Sequence, residues 1–146
     1  MSVPLDLAAL RHDYVAQGLR RVDLLADPLA QFSKWFEEAA AAQIRDVNAM
    51  TLATVSADGS PEARVVLLKG VNAGSFLFFT NYESAKGRQL AANPLVALNF
   101  FWVQLERQIR INGRAEKTSQ EESEAYFHSR PQGSQLGAWS SHQSEV

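Results

Sequence analysis

The sequence predicts a mainly β, α+β domain: an antiparallel meander forming a small barrel or half-barrel, with flanking helices. Three observations predict it. Between Ala49 and Gly113, apolar and β-branched runs alternate with short turn signals. One of those signals, Asp58-Gly59, is a strong hairpin marker. Outside that region the apolar period becomes helical, after Asp27-Pro28 and again after Ser119.

Each element follows from local chemistry. Asp6 to Gln17 is expected to form a short helix, capped by Asp6, with Leu7, Leu10 and Tyr14 on one face and Gly18 as its stop. Asp27 caps the next helix and Pro28 opens it. Leu29, Phe32, Phe36 and Ala40 form its apolar stripe, widened by Trp35. Met50 to Val55 is a strand, Ala57 to Ser60 a turn, and Arg64 to Lys69 the returning strand of a hairpin. Ser75 to Thr80 is the third strand. A helix between Asn81 and Asn93 is capped by Ser84 and stopped by Asn93-Pro94. Leu95 to Trp102 and Arg107 to Gly113 are the fourth and fifth strands. Ser119 and Glu122 form a capping box for a last helix, which ends at Arg130 before Pro131. Gln132 to Val146 is Gly/Ser/Gln-rich. Five strands barely close a barrel, so a partner subunit or further chain is expected to complete it.

Composition narrows the chemistry. A chain of 146 residues is expected to be a single domain, 1–146, with 1–26 as an N-terminal segment. A net charge of −2 gives no general footprint for nucleic acid. The absence of Cys excludes disulfides, thiolate metal sites and Cys nucleophiles, and suits a cytoplasmic location. No apolar run is long enough for a membrane helix. His12, His128 and His142 lack metal-ligand spacing, and there is no phosphate-binding glycine loop or GxSxG elbow.

What remains is locally placed positive charge. Arg64-Val65-Val66-Leu67-Leu68-Lys69 has the pattern of a strand covered on both faces with a cation at each end. Its ends point to opposite faces and lie roughly 16 Å apart at ~3.3 Å per residue, so one strand can serve two anions. Lys86 and Arg88 fall in the first turns of a helix, where the dipole favours an anion over extra cations. Tyr126 and Arg130 share a helical face, and Ser134 follows closely; together they suit a phosphate clamp. Each set also fits ordinary surface charge or core packing. Gln108 lies in the fifth strand between the charged Arg107 and Arg110; a buried Gln needs partners for both ends of its amide, which a flat heterocycle edge or a neighbouring strand would supply.

These blocks, in this order, carry a resemblance: Arg64 to Lys69, Phe79-Thr80-Asn81, Ser84-Ala85-Lys86, Asn93-Pro94, Leu105 to Gln108, Tyr126 to Pro131, Ser134 to Trp139, and Gln143-Ser144. The chain resembles the pyridoxine/pyridoxamine 5′-phosphate oxidase family of FMN-binding split β-barrels from about Leu10 onward. The resemblance implies a homodimer with FMN between the subunits. It implies FMN contacts from Arg64, Val65, Val66, Leu67, Leu68, Lys69, Phe79, Thr80, Lys86 and Gln108, with Gln143 and Ser144 acting from the second subunit. It implies a substrate-phosphate clamp of Lys69, Tyr126, Arg130 and Ser134, closed over by the Arg11 to Tyr14 segment. The family often has Arg where this chain has Ala85, so either one phosphate ligand is absent or Arg88, one turn further on, substitutes for it. Family members continue for several tens of residues beyond the position of Val146. The implied reaction oxidises pyridoxine 5′-phosphate or pyridoxamine 5′-phosphate to pyridoxal 5′-phosphate with O2. Two alternatives are a split barrel that binds flavin or pyridoxal phosphate without turnover, and a flavin oxidase of another ring system such as phenazine precursors.

Overall fold

The computed structural model describes residues 6–15, 18–133 and 135. Helix α1 spans Pro28–Ala41, α2 spans Ala85–Ala92 and α3 spans Gln120–Ser129. The strands are β1 (Ala49–Val55), β2 (Pro61–Leu67), β3 (Gly70–Asn72), β4 (Ser75–Leu77), β5 (Leu95–Trp102) and β6 (Arg107–Arg114). They form an antiparallel sheet in the order β2-β1-β5-β6 and a separate β3-β4 ribbon. The architecture is α+β, as expected. Among the described residues no helix is long and apolar enough to cross a membrane.

Strand alternation puts Met50, Leu52, Val66, Leu98, Phe100 and Trp102 on one face of the sheet, and α1 covers that face with Phe32 and Ala39. Phe32 is the hub. Its ring lies 4.9 Å from Phe76 of the ribbon and 5.2 Å from Phe100 of the sheet. Full burial of a ring such as Phe100 contributes ~1.5–3 kcal/mol. At the far edge, Arg107 pairs with Glu38 at 2.5 Å and lies over the Trp35 ring, tying α1 to β6.

The caps form as the sequence predicts. Asp27 accepts from the Leu29 amide, Ser84 from Gly87, and Ser119 and Glu122 complete their box. Other elements differ. Among the described residues of the first segment only Leu7–Ala9 winds, as one 3-10 turn; Leu7, Leu10 and Tyr14 are exposed, and so short a helix needs a packed face. On α1 the buried residue is Ala39, not Ala40, and Gln31 is buried too. The Gln31 side-chain oxygen accepts from the Leu25 amide, which satisfies part of it. The third strand ends at Leu77, and β3 is an extra strand, giving six among the described residues. The expectation that β2 is covered on both faces fails. β2 is a sheet edge, Val65 is 67 % exposed and Leu67 is also exposed, while Val66 and Leu68 face the core.

Candidate functional site

Two cationic groups form at different places in the fold. The first lies where the β1–β2 hairpin meets α2. Arg64 sits on the inward face of β2, opposite Leu52. Its Nη1 donates to Thr54 Oγ1 at 2.5 Å and to the Leu52 carbonyl at 3.2 Å. Its Nη2 donates to Gln89 Oε1 at 3.1 Å and to Glu62 Oε2 at 3.3 Å. Lys86, in the first turn of α2, is only 8 % exposed. Burial lowers its pKa from the ordinary 10.5, and the nearby Arg64 charge lowers it further. An anion between them would oppose both effects.

The approach to α2 is tightly folded. Ser84 Oγ donates to the Asn81 carbonyl at 2.6 Å and accepts from the Gly87 amide. A Cβ at Gly87 would fall 2.4 Å from the Tyr82 carbonyl, so only glycine lets the loop pack this closely. Arg88 reaches back and donates to the Glu83 carbonyl, which returns its cation to the helix start. Just upstream, Thr80 Oγ1 is buried without a hydrogen-bond partner among the described residues. A helix N-terminus, two neighbouring cations and an orphaned buried hydroxyl fit a phosphate.

The second group surrounds Tyr126 on α3. Its ring stacks on Phe79, with centroids 3.6 Å apart and planes at 1°. Lys69 Nζ lies 5.9 Å from the Tyr126 centroid, and the Arg130 guanidinium 6.0 Å. Lys69, Phe79, Tyr126 and Arg130 are thus brought together from the segment after β2, the segment after β4, and α3. Arg130 caps α3, as the Pro131 signal predicts.

Other predicted residues stand apart. Gln108 is exposed on the outward face of β6, and its amide donates to Asn99 Oδ1 on the neighbouring strand at 2.9 Å. β6 and β2 are opposite edges of the sheet, so Gln108 is ~14 Å from the Arg64 strand at ~4.8 Å per strand. Between them, the outward face holds a hollow of about 180 Å³ lined by Thr51, Ala53, Asn99, Gln108, Arg110 and Asn112. Arg11 and Tyr14 are exposed, and their segment docks through the Val15 amide on Glu106 Oε1 at 3.0 Å. Ser134, Gln143 and Ser144 lie outside the described residues. Among the described residues no carboxylate–histidine group could hold a metal.

The family profile for pyridoxamine 5′-phosphate oxidase matches residues 36–146. The chain belongs to that family. It is 60 % identical over 140 residues to a pyridoxine/pyridoxamine 5′-phosphate oxidase of Burkholderia multivorans. The match covers 96 % of this chain and 65 % of that relative, so the chain spans about two-thirds of its relatives' length. Among solved structures, PhzG of Burkholderia lata, crystallised with tetrahydrophenazine-1-carboxylic acid, superposes with a TM-score of 0.84 at 26 % identity. That superposition covers 90 % of this chain and 66 % of PhzG. A pyridoxamine 5′-phosphate oxidase-related, FMN-binding protein of Nostoc punctiforme superposes at 0.62 and 18 % identity, covering 79 % of this chain and 64 % of that one, which speaks to the fold.

Thr54 and Gln89, which hold the Arg64 guanidinium, belong to no motif in the sequence. The signal was there for Thr54: it breaks the inward apolar alternation of Met50 and Leu52, and a buried hydroxyl needs partners. Gln89 lies one helical turn after Lys86, on a shared face.

Proposed function

We propose that this chain acts in FMN-dependent oxidation of pyridoxine 5′-phosphate or pyridoxamine 5′-phosphate to pyridoxal 5′-phosphate, with O2 as acceptor, in vitamin B6 metabolism. The observation that carries this reading is the presence of two separate cationic groups, one for each phosphate. Arg64, Lys86, Arg88, Thr80 and the α2 start hold the FMN phosphate. Lys69, Tyr126 and Arg130 hold the substrate phosphate, with Ser134 beside them. Phe79 backs the Tyr126 ring, and the segment Val65 to Leu68 lines the flavin. FMN held there would supply the hydride acceptor for the substrate C4′, with O2 as the final electron acceptor. The protein fixes the distance between the two phosphates and so sets the substrate ring against the flavin. Gln108, on the far edge and opposite face of the sheet, suits a flavin held by a second copy. Its amide, with Gln143 and Ser144, then bonds the ring edge of that copy's flavin, in a cytoplasmic homodimer. Arg11 and Tyr14 close over the substrate.

The likeness to PhzG favours a second reading, an oxidase of an unphosphorylated ring acid. The Lys69–Tyr126–Arg130 group favours the first. The test compares oxygen consumption by the FMN-loaded chain with pyridoxine 5′-phosphate and with pyridoxine. Consumption with the phosphate alone is expected. Equal rates, or none with either, would reject the assignment of the Tyr126 group to a substrate phosphate.

A further inference from the structure

We propose that Thr54 and Gln89 are positioning residues, which aim the Arg64 guanidinium at the flavin phosphate. The inference rests on the phosphate site proposed above. Thr54 is 1 % exposed, on the inward face of β1. Its hydroxyl donates to Gln89 Oε1 at 2.6 Å and accepts from Arg64 Nη1 at 2.5 Å. Gln89 Oε1 also accepts from Arg64 Nη2 at 3.1 Å. The three side chains close a triangle joining β1, β2 and α2.

The choice of neutral partners matters. A carboxylate in either place would orient the guanidinium but cancel its charge; a hydroxyl and an amide orient it and leave the charge for an anion. A competitor is already present. Glu62, on the same strand and face, reaches Arg64 Nη2 at 3.3 Å and is half-exposed. Glu62 already shares the guanidinium; without Thr54 and Gln89 less holds Arg64 back from a closer pairing with it, and the site loses part of its cation. The same triangle fastens the α2 helix, and with it Lys86, against the hairpin. Pre-organisation of both cations lowers the ordering cost of binding a phosphate.

The experiment measures affinity for FMN and for riboflavin by flavin fluorescence quenching, in the parent chain and in variants, with apo melting as the check on folding. The parent is expected to prefer FMN. Thr54→Val keeps the shape and removes the hydroxyl; it should narrow the FMN-to-riboflavin ratio about five- to tenfold, with riboflavin affinity unchanged. Gln89→Glu should narrow it further, and Thr54→Ser should restore the parent ratio. Should Thr54→Val lose its cooperative melt, Gln89→Met carries the same expectation. Equal loss of both affinities would mean a structural role only and overturn the inference. An unchanged ratio in every variant would overturn it as well. A parent that binds both flavins equally, or neither, rejects the phosphate site itself and the inference with it.

Discussion

Tyr126 has no charge of its own, yet the second cationic group is assembled on its ring. Stacking on Phe79 fixes the plane, and Lys69 and Arg130 both approach within about 6 Å of its centre. A charge-assisted hydrogen bond from Arg130 to a phosphate contributes roughly 1.5–3 kcal/mol. Arg130→Ala should therefore weaken pyridoxal 5′-phosphate binding about 10- to 150-fold and leave FMN affinity alone, as read by absorbance titration. Loss of FMN with the vitamer retained would mean the two groups are assigned the wrong way round. The pairing of Tyr126 with Arg130 was legible as a four-residue helical spacing. The Phe79 stack was not, because it joins segments distant in the chain and no local pattern records it. The partner of Gln108 was left open for a related reason: alternation tells which residues share a face, not which face meets water.

Elements whose limits depend on local chemistry were legible. Asp27, Ser84 and the Ser119–Glu122 box cap the helices they were expected to cap, and β5 runs over the predicted residues, Leu95–Trp102. The β3–β4 ribbon was half-hidden. Its two-residue loop is Ala73-Gly74, both with positive φ, 45° and 86°. That is the geometry that Asn-Gly normally signals, and alanine masks it. A left-handed alanine costs roughly 1–2 kcal/mol. Ala73→Asn should therefore stabilise the chain by about 1 kcal/mol, raising Tm by about 3 °C in a thermal melt. A lower Tm would mean the loop is not a left-handed pair in solution.

At the scale of the molecule, the described residues cover the four-stranded sheet on one face only. The run Val65 to Leu68 could not announce this, since four apolar residues look the same on an edge strand as in a sheet interior. Val65, Leu67 and Phe101 stand exposed on the outward face, around the hollow that holds Gln108. A homodimer would use that face. Phe101→Glu should then shift the chain from dimer to monomer in light scattering, with the α1-covered core intact by circular dichroism; an unchanged mass would place the contact elsewhere. β6 adds a constraint of another kind. Among the described residues it ends the sheet with an open row of backbone donors and acceptors, the usual template for stacking copies into an endless ribbon. Arg110 and Arg114 stand exposed along it. Two β6 strands brought side by side would carry positive charge against positive charge. Like charge would therefore oppose growth of such a ribbon through β6.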